Sequence, residues 1–327
     1  VSAPHFISPF AVLRRKQHGA ASEHRGWRFL SRGVCIAVSQ AFPFFPVAPT
    51  FVGNDIVKVR VEKQIGSQSL VFETGLLAKQ ASGAVVAQYA DTVVLSAVTT
   101  GAPRIGIDFF PLTCDYRERT AAAGKFPGGF KKREGPPTMK EVLTSRLMDR
   151  PIRPLFPDGF KDEVQCQSTV FSSDLQHDGD LLAMNGVATA LFISSIPFNG
   201  PVATTRVGRI EGKFVAFPSH DELEQSDLDL IVSGTEDAVT MIEGFAREMP
   251  EAEMAEAIVF AHETIKEICA LQRELAEKVG VEKAPFEAPE DDGLLDQLRG
   301  KYYDEFKTAK QTEGKQARAD AVSALKQ

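Results

Sequence analysis

Beyond residue 54 the chain settles into short runs of alternating polar and apolar positions. Val57, Val59 and Val61 alternate with Lys58, Arg60 and Glu62, the period of two by which a strand turns one face inward. Residues 69–74, 84–89 and 92–99 continue as strand-like runs, punctuated by Gly75, Gly83 and the Ala90-Asp91 pair. The run TVVLSAV, residues 92–98, is apolar on both faces and predicts a central strand. Residues 107–116 predict a further strand.

Helical spacing comes next. Residues 140–148 predict a helix that Pro151 ends or kinks near its close. Residues 179–194 (GDLLAMNGVATALFIS) lack proline and are rich in small side chains, which predicts a helix held closely against a sheet. Residues 202–210 and 213–217 flank Glu211-Gly212, a hairpin signature, and residues 227–232 form another strand-like run. Thr235 offers an N-cap oxygen, and Glu236 and Asp237 suit the positive end of a helix, so a helix is predicted as far as residue 247. A longer helix follows Pro250, with Met254, Ile258, Ala261, Ile265, Ile268, Leu271 and Leu275 on one stripe and Gly280 as its stop. A proline- and acid-rich linker, residues 282–292, leads to a polar helical segment whose apolar positions are too sparse for it to fold alone. Strands, two helices, strands and helices in that order predict an α+β fold rather than alternating βαβ units.

Composition qualifies this picture. A chain of 327 residues, 43% of them hydrophobic, has room for two modest domains. No run approaches the roughly 18 apolar residues that span a bilayer, so no membrane partner is expected. A net charge of −7 argues against a uniformly basic nucleic-acid binder, but the charge is uneven. Residues 1–54 hold six basic side chains and one acid, Glu23, leaving 31 basic against 43 acidic residues in the remainder. An acid-poor, arginine-bearing start with Ser and Ala is the composition of an organelle transit peptide, and a disordered tail is the alternative. The semi-apolar stretch 33–51, in which Pro43, Pro46 and Pro49 forbid a helix, suits a two-part plastid signal, with the mitochondrial matrix as the other destination. The chain does not begin with Met, and its N-terminus is expected to be incomplete. Cys35, Cys114, Cys166 and Cys269 are far apart and read as isolated reduced thiols, without a zinc site or disulfide framework.

The most informative segment is the loop of residues 124–137. Gly124, Gly128, Gly129 and Gly135 permit backbone conformations closed to other residues. Phe130 offers a face for base stacking, and Lys131, Lys132 and Arg133 offer three adjacent cations for phosphate oxygens. Stacking plus backbone neutralisation is the general recipe for holding single-stranded RNA without sequence preference. An ordinary solvated turn has the same composition. Arg146, Arg150 and Arg153, spaced by four and three, fall on one face of a helix or its extension. They line an RNA path or pair with Asp149, Glu141 and Asp158; spacing leaves both open. Asp115, Glu118 and Asp149 are assigned structural roles, and His177, His220 and His262 surface or capping roles. Neither a P-loop nor an H-E-x-x-H motif occurs.

The words FPLTCDYRERTAAAGKFPGGF, REGPP and SRLMDRPIRPLFPDGF, followed by DLLAMNGVATALFISSIPFNGPVATTRVGRI and DLDLIVSGTEDAVTMIEGFAREMPEAEMAEAIVFAH, resemble the first core of the polynucleotide phosphorylase family. The resemblance implies a ribonuclease-PH-like core (ribosomal protein S5 domain 2-like) over residues 55–281, then a linker and a truncated all-α segment over 282–327. It implies 3′-to-5′ phosphorolysis of RNA by the complete enzyme, a homotrimeric ring, and Mg2+ and inorganic phosphate bound in a second core that this chain lacks. On that reading no catalytic or metal residue lies in this chain, no cofactor binds to it, and single-stranded RNA rather than DNA is the partner. The family's counterpart of Phe130 to Arg133 is two aromatics and two arginines constricting the ring's channel. Lys131 and Lys132 depart from it, exchanging one stacking platform for a cation and one planar guanidinium for an ammonium. A standalone, non-catalytic RNA-binding ring subunit is the alternative reading.

Overall fold

The computed structural model describes residues 58–103, 106–288 and 293–326. The leader expected over residues 1–54 lies outside them. The valine-rich alternation builds an antiparallel meander of β1 (Val59–Ile65), β2 (Gln68–Thr74), β3 (Gly83–Tyr89) and β4 (Thr92–Gly101). The far edge is β5 (Leu112–Glu118), parallel to β6 (Glu163–Ser172), which pairs antiparallel with β4. The order β1-β2-β3-β4-β6-β5 makes β4 a central strand, as its doubly apolar run predicts. Parallel neighbours need a crossover, and α1 (Met139–Ile152) supplies it.

Two features of this sheet escape the sequence pattern. Polar residues Glu163, Gln165 and Gln167 mask β6, although Val164, Cys166, Ser168 and Val170 are buried between them. β5 begins at Leu112 rather than at residue 107, because Phe110 joins a ring cluster with Phe156 and Phe160, at centroid distances of 4.6 and 5.5 Å.

The helix α2 (Gly179–Phe192) is buried at every position from 179 to 191, as a helix apolar all round must be. Its small residues let it sit directly on β3 and β4: a Cβ at Gly186 would stand 2.6 Å from Ser96 Oγ. On its other side Asn185 exchanges two hydrogen bonds with the backbone of Thr204, fixing the helix to the second sheet. That sheet contains β7 (Ala203–Ile210), β8 (Lys213–Ala216), β9 (Leu228–Gly234) and β10 (Val239–Ala246), in the antiparallel order β10-β9-β7-β8. Glu211 (φ 49°) and Gly212 (φ 77°) make the predicted β7–β8 turn, both in the left-handed region such tight hairpins require. A short helix, α3 (His220–Gln225), joins β8 to β9 behind a Ser219–Glu222 capping box.

The helix expected from Thr235 to residue 247 does not exist; the segment is β10. Thr235 accepts the Ala238 N–H at 3.3 Å, a contact that closes a hairpin turn as readily as it caps a helix. Val239, Thr240 and Ile242 are β-branched and favour the pleated partner that β9 offers, so tertiary pairing overrides the cap signal. After Pro250, α4 (Glu251–Val279) buries the predicted stripe against β1, β7 and β9, and stops at Gly280 (φ 66°). The following strap is docked on the core. Ala284 N–H donates to Ser195 O at 2.7 Å, Lys283 donates to the carbonyls of Leu191 and Ser194, and Phe286 meets Phe160. Burial pulls the Lys283 ammonium down to about 8. Finally α5 (Leu294–Lys310) and α6 (Lys315–Leu325) pair as a helical hairpin. Among the described residues no helix is long and apolar enough to cross a membrane.

Candidate nucleic-acid interface

The basic loop hangs between two firm anchors. Upstream, a short 3-10 turn over Thr120–Ala123 ends at Gly124 in the left-handed region, and Glu134 ties the far limb back by accepting from Thr120 N–H and Oγ1 at 3.1 and 2.9 Å. Downstream, Thr138 and Glu141 form a capping box that starts α1. Glu141 also accepts the Glu118 N–H at 2.9 Å, joining the helix start to β5. At the tip, the Lys132 N–H donates to Gly129 O at 3.0 Å. Of the four glycines expected to carry unusual backbone, Gly124 does so; at the tip Lys132 itself takes the left-handed conformation (φ 46°).

This scaffold leaves the tip side chains free. Phe130 is fully exposed at 103% relative accessibility, and Lys131, Lys132 and Arg133 are exposed without an ion pair among the described residues. An exposed apolar ring costs free energy in water, and here it is flanked by three unneutralised cations. Sequence reasoning missed a second platform, Phe126, which is 88% exposed on the same loop. The signal was its place in the same Gly/Pro-rich stretch, four residues before Phe130.

The three arginines of α1 and its extension meet around one open cavity of about 780 Å3, shared with Thr113, Cys114 and Ser145. Their commitments differ. Arg153 forks onto Asp149 at 2.6 and 3.0 Å, donates to Phe110 O and Leu112 O, and lies over the Phe110 ring. It is a latch joining the helix end to β5. Arg150 pairs with Glu243 of β10 at 2.9 Å, with both side chains more than half exposed, so the pair is weak and open to exchange. Arg146 is exposed and has no ion pair among the described residues. Of the acceptors named from sequence, Asp149 is used; Glu141 belongs to the helix cap, and Glu243 could not be anticipated because its segment was expected to be helical.

A second cavity, of about 290 Å3, lies beside the base of the loop and is lined by Glu118, Lys140, His177, Asp178 and His220. Lys140 bridges Glu118 and Asp178 at 2.9 and 2.7 Å, and Arg206 sits among Asp178, Asp229 and the more distant Asp180. Burial, then the neighbouring Asp178 charge, pushes the Asp180 carboxyl up to about 6. Asp174 goes the other way. Burial opposes its charge, but donors from His177, Gln176 and Thr92 hold it at about 2. His177 and His262 cap local groups, Asp174 and Thr235 O respectively. Mg2+ does not fit this cluster, because the Arg206 guanidinium occupies the centre of the carboxylate set that would attract it.

The cysteines are not all isolated. Cys114 and Cys166 are direct partners in the β5–β6 ladder, which sequence separation concealed.

The two sheets, with α1 and α2 on the first and α4 packed against β1 of the first and β7 and β9 of the second, define a ribonuclease-PH-like architecture. Residues 66–197 match the model of the 3′ exoribonuclease family, domain 1, and residues 200–264 match that family's domain 2. The chain belongs to the 3′ exoribonuclease family. It is 65% identical over 271 residues to a polyribonucleotide nucleotidyltransferase of Rhodopirellula baltica, covering 83% of this chain and 36% of that protein. Proteins of the same name from Sorangium cellulosum and Halalkalibacterium halodurans are 47% and 49% identical, over 82% and 79% of this chain and 36% and 37% of their own lengths. The chain therefore spans a little over a third of the length of these curated relatives.

Proposed function

We propose that this chain is the RNA-guiding first part of a phosphorolytic 3′-to-5′ exoribonuclease, a polyribonucleotide nucleotidyltransferase. One observation carries the reading: a loop anchored at both ends presents a fully exposed Phe130 beside three cations that no carboxylate among the described residues neutralises. Arg146 extends the track along α1. It lies seven residues from Met139, about 10 Å further along the helix axis, with Arg150 one turn beyond. Arg153 contributes by fixing the helix end rather than by touching RNA.

Several further elements belong to the same reading. The relatives' name supports nucleotidyl transfer to or from an RNA chain, and in this reading phosphate is the attacking group and nucleoside diphosphates are the products. Three such chains in a ring would bring three copies of the loop around one channel. Mg2+ and phosphate would act away from the Glu118, Asp178 and Asp229 cluster, whose carboxylates are already paired with Lys140 and Arg206. The acid-poor composition of residues 1–54 supports import into a plastid, or alternatively a mitochondrion; fluorescent fusions with and without those residues test it. The 327-residue chain by itself is expected to bind poly(A) and to release no nucleoside diphosphate from it. Phosphate-dependent release by the purified chain would overturn the division of labour.

A further inference from the structure

The edge of the second sheet presents two side chains that the RNA reading has not used. β10 is an edge strand, and Glu243 and Phe245 lie two residues apart on it, so both stand on one face, about 7 Å apart along the strand. Met241, earlier on that face, is buried, whereas Phe245 is 66% exposed. Glu243 meets Arg150 of α1 through a bond from Nη1–H to Oε2 at 2.9 Å. Arg150 and Arg146, one helical turn or about 6 Å apart, line the same open cavity. A free aromatic ring therefore stands two residues from the carboxylate that holds a cavity arginine.

The Arg150–Glu243 pair is suited to exchange. Arg153 forks onto Asp149 and also donates to two carbonyls, whereas Arg150 reaches Glu243 with one nitrogen, and both partners are 55% exposed. An ion pair that exposed holds its partners by a factor of about five at most. A phosphate offers a guanidinium the same charge and planar fit as a carboxylate. One phosphate contact on a single strand is worth about fivefold at 0.1 M salt relative to 1 M, so the exchange is close to balanced. The direction of travel is also given, since α1 begins where the basic loop ends.

We propose, resting on the RNA-guiding reading above, that Arg150, Glu243 and Phe245 form a further subsite for single-stranded RNA. Glu243 stands in for a phosphate on Arg150 until a strand displaces it, and a base then stacks on Phe245. Glu243 is a positioning residue: it holds the guanidinium ready and weakens the grip on the strand, which lets the strand move on.

Anisotropy of labelled poly(A) on the full 327-residue chain, across a series of salt concentrations, tests this. Glu243→Gln should tighten binding up to about fivefold at 0.1 M salt and steepen the slope of log K against log salt by about 0.7. That gain should vanish in an Arg150→Gln background. Phe245→Ala should weaken binding about fivefold or more with the slope unchanged. All three side chains are more than half exposed, so the melting temperature should not move. Wild-type affinity and slope in Glu243→Gln and Phe245→Ala overturn the subsite alone if replacing Lys131, Lys132 and Arg133 by alanine still abolishes tight binding. If that loop variant also binds as wild type, the RNA-guiding reading falls with it. Substitutions that alter self-association in sedimentation but leave RNA affinity unchanged assign the face to a second copy of the chain and overturn the subsite.

Discussion

Replacing Lys131, Lys132 and Arg133 together by alanine removes the loop's charge while leaving its anchors, Glu134 on Thr120 and the Thr138–Glu141 cap, untouched. The three side chains are exposed and unpaired among the described residues, so their loss should leave the melting temperature unchanged. Their effect should appear in RNA affinity and in its salt dependence. Each phosphate neutralised on a single strand contributes about −0.7 to the slope of log K against log salt, so three contribute about −2. Extrapolated from 1 M salt, where the counterion term vanishes, that slope amounts to about 100-fold in affinity at 0.1 M, or about 3 kcal/mol. Fluorescence anisotropy with labelled poly(A), repeated across a series of salt concentrations, reads both quantities. Phe130→Ala provides the contrast: losing a stacked base costs about 1–3 kcal/mol with the slope unchanged. A triple variant that binds within about twofold of wild type, with an unaltered slope, would return the loop to a solvated turn.

Two of the exposed arginines that line the cavity should separate binding from stability. Arg146→Ala should weaken RNA binding without altering thermal unfolding. Arg153→Ala removes the fork on Asp149 and two carbonyl contacts, and should cost about 1–3 kcal/mol of stability in a urea titration. Equal effects of the two substitutions on both readouts would contradict the roles given to them. Gly186→Ala drives a methyl into Ser96 Oγ beneath the fully buried α2, an overpacking expected to cost about 1–3 kcal/mol; unchanged stability would mean the helix can lift off the sheet. Asp174 has a folded pKa of about 2, below its ordinary value of 3.8. Its contribution to stability is therefore complete above the ordinary carboxylate range and is lost as pH falls from about 4 to about 2. Asp174→Asn should lower stability at neutral pH and flatten the acid limb of the unfolding curve; an acid limb identical to wild type would rule out this linkage.

The strand and helix periods were legible where one face of an element is buried and the other wet. β1 to β4, the α4 stripe and the Glu211-Gly212 turn all follow from local spacing, because period and turn chemistry are properties of the chain itself. The segment after Thr235 was misread because one side-chain oxygen serves a helix cap and a hairpin turn equally; what separates them is the presence of β9 alongside. The masking of β6 has a similar origin, since its glutamines alternate with a buried face that only α2 defines.

By itself, the sequence determined the α+β class, the family resemblance, the loop carrying Phe130 to Arg133, and the common face of Arg146, Arg150 and Arg153. The tertiary structure decided which of these groups are free. Arg153 is consumed by Asp149, Arg150 leans on a glutamate from the other sheet, and Arg146 and the loop cations find no acid within reach among the described residues. Spacing tells which face a charge occupies, but a counter-ion is a matter of distance across the fold. The same reason hid the thiol pair: Cys114 and Cys166 stand 52 residues apart in the chain and side by side in the sheet.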